Sequence, residues 1–144
     1  MQVASTSSLG LEAEADIVRA RQVVRQHAQT CGFSLVDQTK LVTAASELAR
    51  NTVKHGGGGV MTLEVLHQDA KRGIRLRFED DGPGIADLSL AMTDGWTSGG
   101  GLGLGLTGSK RLSNEFEIES SLGRGTRVTI VRWTPGTKRP APGP

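Results

Sequence analysis

Apolar and polar positions alternate most cleanly between residues 74 and 79. Ile74, Leu76 and Phe78 face one way and Arg75, Arg77 and Glu79 the other, which predicts a half-buried strand. Residues 60–66 repeat the pattern with Met61, Leu63 and Val65, and the polar stretch 67–73 between the two runs predicts a hairpin turn. Upstream the period changes. Ile17, Ala20, Val24, Ala28 and Cys31 recur at helical spacing, predicting a helix over 17–30 with Asp16 as its N-cap and Gly32 as its stop. Ser34 followed by Asp37 predicts the start of a second helix running to about residue 53, with Leu41, Ala45, Leu48 and Thr52 as its core stripe. Shorter patterns predict a weak strand over 8–15, helical pieces at 88–92 and 104–112, and strands at 115–120 and 126–133. Residues 1–11 are Ser/Thr-rich and predict a frayed segment; residues 134–144 hold four of the five prolines and predict a disordered tail. The interval 12–133 is then one domain. Helices come first and hairpins later, too irregularly for a doubly wound parallel sheet. The order predicts an α/β (α+β) two-layer sandwich, a mixed but mostly antiparallel sheet with helices on one face.

Composition narrows the class. The 144 residues carry 17 Lys+Arg against 15 Asp+Glu, too even a balance to argue for nucleic acid. One cysteine, Cys31, leaves no partner for an internal disulfide and no multi-cysteine zinc site. No apolar run reaches the ~20 residues of a membrane span, and residues 1–10 lack a signal-peptide pattern. A cytoplasmic protein without membrane contact is the expectation. Glycine is the anomaly: 20 residues, about twice the usual ~7%. They cluster at 56–59, at 82 and 84, and between 95 and 108, where backbone must approach something closely.

Three stretches can carry chemistry. At about 100° per residue, Thr43, Glu47, Asn51 and Lys54 fall within one arc of the second helix. The arc reads either as a solvated face or as a cleft lining in which a carboxylate orients a nucleophile, an amide ligates a hard cation and a lysine meets phosphate. Asp80-x-Gly82-x-Gly84 ends the cleanest strand, either as an Asp-Gly turn or as a close approach to a flat ligand whose amine the carboxylate accepts. The glycines from 99 to 105 open a helix, where backbone N–H groups favour an anion. Residues 103–108 match Gly-x-Gly-x-x-Gly without the apolar strand that a dinucleotide site needs, and the phosphate-loop lysine motif is absent.

The order of these motifs is more telling than any one. Glu47-x-x-x-Asn51-x-x-Lys54, Asp80-x-Gly82-x-Gly84, Gly101-x-Gly103-x-Gly105 and Gly123-x-Gly125-Thr126 resemble the four boxes of the GHKL (Bergerat-fold) ATP-binding superfamily. Within it, Ser46-Glu-Leu-Ala-Arg-Asn51, Glu79-Asp-Asp-Gly-Pro-Gly-Ile85 and residues 98–120 resemble the stand-alone serine/threonine kinases of bacterial partner-switching pathways, closest to the stressosome switch kinases. The likeness spans about residues 12–133; the four glycines after His55 depart from it without touching a chemical role.

The resemblance implies a Bergerat-type sandwich with a glycine-rich ATP lid. It implies ATP and Mg²⁺, with Asn51 as the metal ligand through the ATP phosphates, Glu47 as catalytic base and Asp80 as the adenine-reading carboxylate. Gly82, Gly84, Gly101, Gly103 and Gly105 would form pocket floor and lid, Thr126 would sit near the adenine edge, and Lys54 would face phosphate. As partners it implies STAS-domain antagonists as substrates and a PP2C-type phosphatase activated by the free kinase. A second reading is an anti-sigma factor that sequesters a sigma factor and phosphorylates its antagonist. A third is a switch module that turns over little ATP. A chain of this length leaves no room for the helix pair of an autophosphorylating histidine kinase.

Overall fold

Ile74, Leu76 and Phe78 lie in the central strand of a five-stranded sheet, and all three are buried. The computed structural model describes residues 1–92 and 105–135. In chain order the elements are β1 (Gln2–Leu11), α1 (Glu14–Thr30), α2 (Leu35–Arg50), a π-helical turn (Asn51–His55), β2 (Gly59–Gln68), β3 (Lys71–Asp80), α3 (Leu88–Ala91), α4 (Leu106–Arg111), β4 (Glu115–Ser120) and β5 (Thr126–Trp133). The strand order is β1-β2-β3-β5-β4. Every pairing is antiparallel, so the sheet is not mixed as the sequence suggested.

Register brings the apolar faces together. Met61 and Val128 flank Phe78, and Leu63 and Ile130 flank Leu76. Against this face pack Ile17, Ala20, Val24 and Ala28 of α1 and Leu41, Ala45 and Leu48 of α2 in one continuous core. The alanines let the helices approach closely, and each fully buried Leu, Ile or Phe contributes about 1.5–3 kcal/mol. No helix among the described residues is long and apolar enough to cross a membrane.

Residues 1–11, expected to fray, instead form edge strand β1, paired with β2 from Gln2–His67 to Leu11–Gly59. Its side chains are exposed up to Ser8, and a register shift between Val3 and Ser5 breaks its regularity. An edge strand with so little buried surface has no alternation to read. Helix α1 starts at Glu14 rather than after Asp16, which sits inside the first turn and accepts the backbone N–H groups of Glu12 (2.9 Å) and Ala13 (3.1 Å). Those bonds hold its carboxyl below the usual carboxylate range. The β2–β3 hairpin is also tighter than predicted, turning at Asp69, whose φ is +56°. Residues 93–104 and 136–144, which include the expected lid and most of the expected tail, lie outside the described residues.

Among the described residues, an ion pair ties the two layers together. Arg132 of β5 donates to Asp37 of α2 (2.8 Å) and to the carbonyl of Leu112 after α4 (2.8 Å). The Arg132 hydrogen bond is the chief reason that Asp37's carboxyl lies below its ordinary range. A hydrogen bond to a charged group is worth about 1.5–3 kcal/mol, and both side chains are mostly sheltered. Asp37→Ala should therefore lower stability by about 2 kcal/mol at neutral pH, read from urea unfolding. Because the folded-state pKa is depressed, that contribution is complete above the unfolded value of about 3.9 and is lost as pH falls through the folded value. The acid limb of stability should be shallower in Asp37→Ala than in the wild type; parallel limbs would contradict this role for the pair.

Candidate functional site

The alternation that buries Ile74, Leu76 and Phe78 does not stop at Phe78. The next position on the same face is Asp80, whose register partners are Gly59 of β2 and Thr126 of β5. A carboxylate thus ends the apolar row of the central strand. Desolvation pushes its pKa above the ordinary carboxylate range; backbone N–H groups of Gly82 and Thr126 and the charge of His55 pull it back. The Gly82 N–H to Oδ1 distance is 2.9 Å.

Space around Asp80 exists because neighbouring side chains are missing. A Cβ at Gly56 would collide with the Asp80 carboxylate. A Cβ at Gly125, whose φ is +75°, would collide with the Asp80 carbonyl. Gly56 belongs to the cluster after His55 that the sequence reading left without a role; the glycine run was the signal. The result is a small pocket, open on one side. Its walls are apolar, from Leu48, Phe78, Ile85, Leu106 and Val128, and its polar groups come from Asn51, Thr52, His55, Asp80 and Thr126.

The hydroxyls at the base form a directed chain. Ser120 Oγ accepts the N–H of Ile85 (2.8 Å) and donates to the carbonyl of Gly125 (2.8 Å). It also lies 2.8 Å from Thr126 Oγ1. Ser120 has a single proton, already given to Gly125, so Thr126 donates in this last bond. Thr126 and Asp80 both line the pocket, and each is left with acceptor capacity. A ligand edge rich in N–H donors fits that pair. Ser120 carries no motif and was missed by the sequence reading.

Helix α2 delivers the remaining groups. Glu47 and Asn51 are four residues apart and share a side of the helix. Asn51 lines the pocket, whereas Glu47 lies beside Gly105 at the start of α4, where a Cβ would come within 2.8 Å of its Oε2. After Arg50 the helix widens: the N–H of Gly56 bonds the Asn51 carbonyl (2.9 Å), a π-type closure. Thr52 Oγ1 bonds back to the Leu48 carbonyl (2.9 Å), a contact that bends helices. The wider turn carries His55 into the pocket, with Nε2 3.4 Å from the Gly84 carbonyl. It also removes Lys54, whose Nζ is 3.6 Å from exposed Glu14 Oε1 and which does not line the pocket. The uniform helical arc predicted for Thr43, Glu47, Asn51 and Lys54 fails at this turn. Of the glycines, 82, 84 and 105 border the site, while Gly101 and Gly103 lie outside the described residues.

No group of three His, Cys, Asp or Glu among the described residues could hold a metal ion alone. A single amide such as Asn51 suits magnesium, which binds few protein ligands and retains water and phosphate oxygens.

Residues 36–136 match the family described as histidine kinase-, DNA gyrase B-, and HSP90-like ATPase. The chain belongs to this family. Among individual proteins of the family it is similar to the serine/threonine-protein kinase RsbT of Bacillus subtilis (strain 168), 43% identical over 127 residues, covering 88% of this chain and 96% of that one. It is also similar to the anti-sigma F factor of Clostridium novyi (strain NT), 35% identical over 122 residues, covering 78% and 82%. The anti-sigma F factor of Geobacillus kaustophilus (strain HTA426) is 29% identical over 120 residues. The two-layer sandwich expected from the family resemblance is the fold observed.

Gly123 and Gly125 share a left-handed φ, +76° and +75°, but a Cβ at Gly123 meets nothing within 4 Å. Replacing each with alanine separates backbone strain from collision. Gly125→Ala should cost at least about 1 kcal/mol more than Gly123→Ala in urea unfolding. Equal losses would mean that the floor beneath Asp80 is not closely packed.

Proposed function

We propose that this chain is a serine/threonine protein kinase of a partner-switching pathway, moving the γ-phosphoryl group of Mg-ATP to a hydroxyl on a STAS-domain antagonist. The observation that carries the reading is a half-buried carboxylate, Asp80, in an apolar-walled pocket that Asn51 also lines, with Glu47 one helical turn before Asn51. Asp80 and Thr126 accept from the exocyclic amine side of adenine, and the apolar walls hold the ring faces. Asn51 offers its amide oxygen to the cation. Bound Mg-ATP supplies the phosphoryl group and neutralises its developing charge. Glu47 takes the proton of the attacking hydroxyl as the new oxygen–phosphorus bond forms and the bond to ADP breaks. Gly105 leaves the Glu47 carboxylate room to reach that hydroxyl.

Released from its antagonist, such a kinase activates a PP2C-type phosphatase. The likeness to anti-sigma F factors supports a second reading, in which the chain sequesters a sigma factor and phosphorylates the antagonist that frees it. The greater identity and coverage with RsbT favour the first. Recovery of a phosphatase or of a sigma factor from a pull-down separates the two.

Thermal unfolding with and without Mg-ATP tests the pocket. At about 100 times its Kd a ligand adds roughly 2.7 kcal/mol. Asp80→Asn should lose most of that shift, and an unchanged shift would remove Asp80 from nucleotide binding. Glu47→Ala should keep the shift while phosphotransfer falls by about 10²–10⁴. Normal transfer in Glu47→Ala would contradict its role as base.

A further inference from the structure

The segment after β3 is fastened to the turn between β4 and β5. The N–H of Gly123 bonds the Pro83 carbonyl (2.8 Å), and Gly84 lies so close to the Ser121 carbonyl that a Cβ would collide with it. Ser120 adds a side-chain link, accepting the N–H of Ile85 (2.8 Å). The same hydroxyl donates to the Gly125 carbonyl (2.8 Å) and lies 2.8 Å from Thr126 Oγ1. A serine hydroxyl has one proton and two lone pairs. Gly125 takes the proton, and Ile85 and Thr126 take one lone pair each. The Ser120 hydroxyl is thereby fully committed, and two of its three partners are backbone groups with no freedom to turn.

Thr126 differs. Its hydroxyl turns about the Cβ–Oγ bond and can donate or accept, so the Ser120 oxygen decides where its proton points. Asp80 and Thr126 are register partners, and both line the pocket. With the Thr126 proton drawn toward Ser120, two acceptors stand side by side there. An exocyclic amine offers donors to them; a carbonyl in its place offers none and sets lone pairs against lone pairs. Ser120 itself does not line the pocket. It borders a separate open cleft, with Ser121 and Arg124, that shares Asp80 and Thr126 with the pocket.

We propose that Ser120 sets the base specificity of this chain: by holding the Thr126 proton it keeps this part of the pocket accepting only, so that adenine is taken and hypoxanthine, with a carbonyl in place of the amine, is refused. The inference rests on the reading of the pocket as an ATP site. Ser120 is a positioning residue, acting through Thr126 and not on the nucleotide. Without the Ser120 hydroxyl the Thr126 proton is free to turn to a carbonyl oxygen. ATP then loses an acceptor and inosine triphosphate (ITP) gains a donor, so the ratio of their affinities shifts. Loss of packing alone weakens both nucleotides alike.

The test is calorimetric titration of the full chain with Mg-ATP and with Mg-ITP, in the wild type, Ser120→Ala, Ser120→Val and Ser120→Thr, each shown to be folded by circular dichroism. The wild type should bind ATP at least about tenfold more tightly than ITP. In Ser120→Ala and Ser120→Val that ratio should fall by about fivefold or more, with ITP bound as well as or better than by the wild type. Ser120→Thr keeps a hydroxyl and should keep the wild-type ratio. Threonine and valine have nearly the same shape, so this pair separates the hydroxyl from packing. Equal affinity of the wild type for ATP and ITP overturns the proposal whether or not any variant folds. So does an unchanged ratio in Ser120→Val, or a Ser120→Thr that behaves like Ser120→Val. Equal weakening of both nucleotides also overturns it and assigns Ser120 to packing alone. A wild type that binds neither nucleotide overturns the ATP-site reading itself, and the proposal with it.

Discussion

A single charged group on the core face of the central strand sets the terms for the rest of this molecule. Asp80 continues the row Ile74, Leu76, Phe78, and a carboxylate there is costly unless its oxygens are bonded. The chain meets that demand with backbone N–H groups from Gly82 and Thr126, which can approach because Gly56 and Gly125 lack side chains. Gly56 and Gly125 are the condition for sheltering one acid beside open space. They leave a pocket whose base accepts hydrogen bonds and whose walls are apolar.

Helix α2 has to satisfy two requirements at once. Its stripe of Leu41, Ala45 and Leu48 fixes it to the sheet, while Asn51 just past its end lines the pocket and Glu47 on its polar edge lies beside Gly105. The π turn reconciles them. By widening the last turn it keeps Thr52 buried, brings His55 in toward the Gly84 carbonyl and sends Lys54 out to Glu14. Arg132, Asp37 and the Leu112 carbonyl then fix the start of α2 to the end of α4, the helix whose first residue follows Gly105 beside Glu47. Stability and site geometry share these contacts.

Much of this was readable before any coordinates. The alternation at 74–79 located the central strand, and of the residues that the family resemblance singled out, Asn51, Asp80 and Thr126 line one pocket while Glu47 lies beside Gly105. What was not readable has physical causes. β1 buries too little to show a period, so its ten residues looked frayed. Lys54 was misplaced because a constant angle per residue cannot represent a π turn. Gly56 and Ser120 act through backbone approach and hydroxyl bonding, which leave no local pattern, although the glycine run around Gly56 was visible.

The central claim is that Asp80, together with the Thr126 hydroxyl, reads a hydrogen-bond donor on the nucleotide base. Calorimetric titration of the wild type with Mg-ATP and with the Mg complex of purine riboside triphosphate, which lacks the exocyclic amine, tests it most directly. The account predicts that ATP binds at least about tenfold more tightly, the value of one hydrogen bond to a charged acceptor. Equal affinity for the two nucleotides would show that the Asp80 carboxylate does not recognise the base, and would contradict the account.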